Sequence, residues 1–415
     1  MSIALQGFVG ATIMLVFAWL ISENRRGVSW RTVGSALVLF VVLGLVALKF
    51  PPARLLFSSL NDALIALQRA TSDGTAFVFG FLGGGPAPFA TTGPGSTFVL
   101  AFQALPLILV VSALSALLFY WRILPLVVNA AAWVLMKSIG VGGAVGVSTA
   151  ANVFLGMVEA PLLIRPYLAR LSRGELFMVM TCGMASTAGT VMALYAAAIG
   201  KIVPDALGHI LIASVISAPA GIALAALMVP SDKDATAGGL LEPSPAGNSM
   251  DAISRGTIDG VQLTINVAAM LLVLSALVSL ANQGLGLFTW PDGSTVTLQG
   301  AFGLLFAPLA WLTGVPWAES QAAGALLGTK TVLNEFVAYL EMAKLPPEAL
   351  SANSRLVMTY ALCGFANFAG LGIMIGGMIM MIPERRLEIL ELGWKSIISG
   401  TLATCLCGAL VATTL

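Results

Sequence analysis

Apolar residues run along this chain in long blocks punctuated by short polar segments. Eight blocks predict membrane-crossing helices: 4–21, 34–50, 97–120, 175–200, 206–229, 258–282, 355–381 and 390–415. A crossing helix needs about 20 apolar residues, because within hydrocarbon the backbone must satisfy its own polar groups. Residues 56–84 mix Asp62, Arg69 and Asp73 with apolar positions and end in GGGPAP, which predicts an interfacial helix followed by a loop. The runs 122–137 and 299–314 are short for a span.

Two segments, 139–171 and 317–344, break the pattern. Each is interrupted by Gly, Pro or charge, too long for one clean span and too broken for two. Such segments predict re-entrant hairpins, since irregular backbone is tolerated at membrane depth only where it is buried in protein or lines a wet cavity. A short repeat accompanies them. Cys182-Gly183-Met184-Ala185-Ser186 resembles Cys363-Gly364-Phe365-Ala366-Asn367, and each follows a broken segment with one Glu, Glu159 or Glu335. The expected fold is an all-α polytopic membrane protein with eight transmembrane helices plus two re-entrant hairpins. Hairpin, span, span occurs twice, over 139–229 and 317–415, and block 258–282 inverts the second copy. Broken helices of inverted repeats meet near the bilayer midplane, where transporters place their sites.

Composition supports the lipid setting. Hydrophobic residues make up 58% and charged residues 9%, with a mean hydropathy of +0.96, where soluble chains carry about 25% charged residues. The net charge of +1 gives no reason to expect nucleic acid as a partner. The cysteines Cys182, Cys363, Cys405 and Cys407 lie in apolar runs without metal-ligand spacing to His209, and read as packing residues. The N-terminal run has no basic start and reads as a first span rather than a removable signal. Arg25, Arg26, Arg31, Arg122, Arg165, Arg170, Arg173, Lys233, Arg255, Arg385 and Arg386 fall on one side of an eight-span count, which is then cytoplasmic, with both termini outside. Arg54, Arg69, Lys201 and Arg355 fall on the other side. The loop 230–257 reads as a linker.

The sharpest chemical candidates are Glu159 and Glu335. A carboxylate at membrane depth faces a bundle interior or water and points to function; the bland reading places each near a solvated hairpin mouth. Arg165 and Lys330 are close enough in sequence to pair with them. An ionised carboxylate offers about four acceptor sites and no donor, which suits a hydroxylated solute. Asn152 and Ser186 could coordinate a small cation through oxygen, or Asn152 could cap a helix. Asn367 and Asn266 could serve interhelical hydrogen bonds. No HExxH, GxSxG or GxxxxGK[ST] pattern occurs, so no enzyme is expected, and 83–96 reads as turn chemistry.

Four stretches give the chain a family likeness: ANVFLGMVEAPLLIRPYL (151–168), GTIDGVQLTINVAAML (256–271), GTKTVLNEFVAYL (328–340) and TYALCGFANFAGLGIMIGG (359–377). It resembles the concentrative nucleoside transporters in their short bacterial form. That resemblance implies a homotrimer in the cell inner (plasma) membrane. It also implies a scaffold from 1–138 and 230–316, a moving transport part from 139–229 and 317–415, and sodium-driven symport of a nucleoside, with protons in some members. Residue by residue, it implies that Glu335 and Asn367 hold ribose hydroxyls, that Phe365 and Val191 line the base pocket, and that Glu159 reaches the base. It implies a sodium site at Asn152 and Ser186, with carbonyls of Leu155, Ser186 and Thr187.

The chain also departs from the family pattern. Met157 and Val158 stand where Gln and Thr or Ser are usual, Ala369-Gly370 where a Ser pair is usual, and Met374 where Gln is frequent. Each unmatched buried polar group on a base would cost about 1–3 kcal/mol. The expected solute is therefore a nucleoside with a less polar or differently oriented base, or another hydroxylated solute. A proton-coupled symporter and an ion-conducting channel are the alternatives.

Overall fold

In a computed structural model, the structure describes residues 2–89, 98–231, 236, 246–289, 293 and 295–415. Lys233 and residues 90–96 of the turn-rich run lie outside the described residues, as does the side chain of Arg54. The first helices are α1 (Ile3–Leu20), α2 (Trp30–Lys49), α3 (Pro51–Phe79), α4 (Leu100–Gln103), α5 (Leu107–Tyr120) and α6 (Ile123–Ile139). Ser2 and Ser29 cap α1 and α2 by accepting from Leu5 and Thr32 amides, the usual way of satisfying a helix start. The block 97–120 is interrupted ahead of Leu107 by Pro106, which has no amide proton to donate.

The first broken segment folds as α7 (Gly143–Asn152), α8 (Glu159–Leu163) and α9 (Arg165–Leu168). The block 175–200, expected as one span, is two half-helices, α10 (Arg173–Ala185) and α11 (Gly189–Ile199), separated by Ser186-Thr187-Ala188 in extended backbone at Ser186 and Ala188. Next come α12 (Ala206–Met228), α13 (Ser249–Leu285), α14 (Leu298–Leu312), α15 (Trp317–Val332) and α16 (Glu335–Lys344). The α14–α15 pair bends by 116°, and α15–α16 form the second hairpin, broken at Leu333-Asn334. The block 355–381 is again two half-helices, α17 (Ala352–Leu362) and α18 (Phe368–Met381), before α19 (Arg386–Ala412). The stretch expected as a span at 175–200 remains one candidate crossing but is broken at 186–188, and the block 355–381 is likewise broken, at 363–367. Neither break contains proline; the Phe365 amide pairs with the Ser186 carbonyl across the two repeats, and the Cys182, Thr187 and Ala361 carbonyls accept from side chains of their own repeat.

Among the described residues, seven helical stretches are long and apolar enough to cross a membrane. An eighth is reached by length and composition if the bent pair α14–α15 is one span, and the helical architecture is that of a polytopic membrane transporter. α13 has 37 residues, about 55 Å of helix, and exposes Ile258, Ile265, Leu272 and Leu280. By contrast α10, α12 and α19 are buried through most of their length. α1 lies against α14 so closely that a side chain at Gly10 would collide with the Leu312 carbonyl.

Arg173 and Arg385, two of the basic residues expected on the cytoplasmic side, share Glu388. Arg173 pairs with Glu23 at 2.9 Å and Glu391 at 3.1 Å, Lys395 pairs with Glu23, and Arg385 reaches the Leu168 and Leu171 carbonyls. Ser172 and Glu175 close a reciprocal cap on α10. Glu175 also accepts the Thr236 amide and hydroxyl, both at 2.7 Å.

Candidate functional site

The two hairpins and the two broken spans converge. In the first repeat, the Asn152 side chain ends α7 by donating to the Cys182 carbonyl at 2.8 Å and to the Ser186 hydroxyl. Ser186 Oγ itself donates to the Cys182 carbonyl at 3.0 Å. The Gly189 amide donates to the Phe154 carbonyl at 3.1 Å, pinning the hairpin tip to the start of α11.

In the second repeat, Asn334 and Asn367 cap α16 and α18 through the Val337 and Gly370 amides. Asn367 Nδ2 donates to Glu335 Oε2 at 2.9 Å. The Tyr195 hydroxyl, from α11 of the first repeat, donates to Glu335 Oε1. Glu335 and Asn367 are 3% and 2% exposed. A buried carboxylate is tolerable only when its acceptor oxygens are paired, and here both oxygens accept from groups able to donate.

A backbone hydrogen bond also joins the repeats: the Phe365 amide donates to the Ser186 carbonyl at 3.3 Å. Gly364 allows this approach. Its φ of +159°, with a built Cβ 2.8 Å from the Ala185 carbonyl oxygen and 2.7 Å from Thr404 Cγ2, leaves no room for a side chain.

The donor set in the first repeat fits a small hard cation. Asn152 is 3% exposed, and its Oδ1 has no hydrogen-bond partner. A buried acceptor left unpaired is costly, and a cation would complete it. Ser186 Oγ lies beside the same side chain, accepting from Asn152 Nδ2. The Thr187 carbonyl accepts from Ser214 at 3.3 Å, and Leu155 lies partly buried beyond the hairpin tip.

The other expected site residues fall in two groups. Val191 is buried on α11, and Phe365 is partly buried in the second break. Met157 is buried, with its Cβ 3.2 Å from a Cβ built on Gly183 and its Cε 3.4 Å from one built on Gly370. Val158 Cγ1 lies 2.7 Å from a Cβ built on Gly377. Both apolar side chains therefore pack on α18, and Gly370 is part of the surface they cover. Met374 is buried on the same helix. Glu159 stands apart: it is exposed at the start of α8, its carboxylate folded over Gly156, where a Cβ would collide with it. Asn266 is exposed on α13.

The expected ion pairs do not form. Arg165 is exposed. Lys330 is 0% exposed and donates to the Ala361 carbonyl at 2.9 Å and Thr404 Oγ1 at 2.8 Å, with no salt bridge among the described residues. Sequence reasoning missed Tyr195. Its ring stacks on Phe336 with centroids 5.9 Å apart, and the signal was a lone phenol in the apolar run ALYAAAIG. A cleft of about 230 Å³ lined by Gln68, Gln103, Leu194, Ala198, Phe336 and Leu340 opens between α3–α5 and the α11–α16 side of this site.

Residues 209–412 match the family model described as Na+ dependent nucleoside transporter C-terminus, and 9–82 match its N-terminal counterpart. Residues 101–202 match a model described as Gate, nucleoside recognition. The chain is 38% identical over 410 residues to an uncharacterized transporter of Haemophilus influenzae, covering 96% of this chain and 95% of that one. It is 34% identical over 401 residues to nucleoside permease NupC of Helicobacter pylori, covering 95% and 94%. The solved structure of CNTnw in an inward-facing substrate-bound state superposes with a TM-score of 0.89 at 35% identity, covering 100% of this chain and 99% of that one.

Proposed function

The chain belongs to the sodium-dependent nucleoside transporter family, and from that premise we propose a sodium-coupled symporter that takes up a nucleoside or nucleoside-like solute by alternating access. It is a multi-pass membrane transporter and not an enzyme. The observation that carries the finer reading is the buried Glu335–Asn367 pair, set between the breaks of α15–α16 and α17–α18.

In this mechanism Glu335 accepts hydroxyl protons of the solute. The carboxylate has about four acceptor sites, and Tyr195 and Asn367 use one on each oxygen, so vicinal hydroxyls can occupy the remainder. Phe365 and Val191 flank the base, with Met157 and Val158 presenting apolar surface where polar contacts would otherwise form. That favours a base with a weakly polar edge, or another hydroxylated solute. Sodium, as a co-transported ion, enters at Asn152 Oδ1 and Ser186, with the carbonyls of Leu155, Ser186 and Thr187 in reach of that break. It fixes the first hairpin tip, on which the solute pocket is built. Coupling needs only that each ligand favour the state the other favours, typically by about 1–3 kcal/mol.

Sodium is preferred to a proton because the buried Asn152 Oδ1 is an unpaired acceptor that a cation can complete and a proton on a carboxylate cannot. We assign 1–138 and 230–316 to the scaffold and 139–229 and 317–415 to the moving part, as a homotrimer in the cell inner membrane with both termini outside. The apolar exposed face of α13 supports assembly of copies. Purified protein screened by thermal shift against nucleosides, nucleobases and polyols, with and without sodium, tests the reading. Stabilisation by a ribosylated solute that is larger in sodium is expected; no ribosylated ligand, or one indifferent to sodium, refutes it.

A further inference from the structure

Among the described residues, Lys330 is the one cationic side chain that is fully buried, and the mechanism above gives it no task. It sits in the last turn of α15, where the first half of the second hairpin ends. Its ammonium donates to Ala361, whose carbonyl is left over at the end of α17 because the helical partner, the Phe365 amide, has turned to Ser186 instead. Thr404 accepts its second bond while donating its own proton to the Thr401 carbonyl at 3.0 Å. The contacts are a carbonyl and a hydroxyl, the oxygen types that hold a small alkali cation. A buried ammonium held only by neutral oxygens is costly, so a purely structural bond is a poor account of it.

The first repeat holds the counterpart. Asn152 also ends the first half of a hairpin, and it also donates to a carbonyl near the end of the following half-helix, that of Cys182. What differs is the remainder. Asn152 leaves an acceptor, Oδ1, unpaired; Lys330 brings a positive charge of its own.

Resting on the sodium reading of the first repeat, we infer that Lys330 is a tethered cation. It takes, in the second repeat, the place a mobile cation takes in the first, so that each transport cycle carries one mobile coupling cation per solute. Lys330 is thus a positioning residue: it braces the α17 break that carries Asn367 and supplies positive charge on the Glu335 side of the pocket without having to be loaded.

Two measurements test this. The first is equilibrium binding of radioactive sodium to the unaltered protein with saturating solute. One sodium per protomer is expected; two overturn the inference while leaving the sodium site intact. None refutes the first-repeat site and the inference with it. The second compares Lys330→Arg and Lys330→Gln in proteoliposomes, reading the sodium dependence of uptake and the charge moved per solute. Arginine should preserve both. Glutamine offers an amide oxygen but no charge, and should steepen the sodium dependence from a slope of about one toward about two. A folded Lys330→Gln protein with an unchanged slope and charge per solute overturns the tethered-cation role; if that variant does not fold, the binding count on the unaltered protein decides.

Discussion

Asn367 donates to Glu335 over 2.9 Å while accepting the Gly370 amide with its other atom. One side chain therefore starts α18 and holds the buried Glu335 carboxylate. Glu335→Gln should abolish uptake with the protein still folded and assembled, because an amide presents one acceptor and an unwanted donor to the hydroxyls. Asn367→Ser separates the two tasks of that residue. It keeps a helix cap, whose loss would cost about 1 kcal/mol, but cannot reach Glu335 as Asn does. Its melting temperature should stay near the unaltered value while solute affinity falls.

Tyr195→Phe removes a single donor from Glu335 and keeps the ring stacked on Phe336. A hydrogen bond to a charged group contributes about 1.5–3 kcal/mol, so solute affinity should fall by about 10- to 100-fold. Binding titration of the variant checks this, and an unchanged Kd would remove Tyr195 from the site.

Asn152→Ala takes away the unpaired Oδ1. The sodium concentration for half-maximal uptake should rise, with little change in the maximal rate once sodium saturates. An unchanged sodium response points to proton coupling.

Met157→Gln with Val158→Thr restores polar groups at two positions that now pack on Gly370 and Gly377. Both changes nearly conserve volume, so the fold should persist. Without solute the variant should melt lower, since an unmatched buried amide costs about 1–3 kcal/mol. Uridine or adenosine should then stabilise it more than the unaltered protein. Equal shifts in both proteins would mean that these positions do not meet the base.

Glu23 is held at about 2, well below its ordinary value of 4.5, chiefly by its hydrogen bond to Arg173 and with help from Lys395. A depressed carboxylate contributes stability above its unfolded value and loses it as pH falls toward the folded one. The melting-temperature advantage over Glu23→Gln should be full at neutral pH and disappear progressively between about pH 4.5 and pH 2. An advantage that persists at pH 2 would show that the pair contributes through packing alone.

The crossings were legible because about 20 apolar residues in a row admit few other structures. The hairpins were legible because Gly, Pro and charge interrupt 139–171 and 317–344. The breaks at 186–188 and 363–367 were not, since their residues are small or apolar and leave mean hydropathy high. Only the repeated Cys-Gly pair marked them, and the pairing that stabilises them is long-range, as in Phe365 to Ser186. Lys330 was misread for a related reason. Sequence proximity suggested Glu335 as its partner, whereas the helix end at Val332 sends it toward Ala361 and Thr404.

Ser186 is shared between the two repeats. Its side-chain hydroxyl accepts from Asn152 in the first repeat, and its carbonyl oxygen receives the amide of Phe365, two residues ahead of Asn367. An ion pulling on that oxygen would weaken its hold on Phe365, and a guest settling beside Asn367 would pull from the other end. The conversation between driving ion and cargo thus need not travel through the bundle; it can be conducted within the span of a single shared amide.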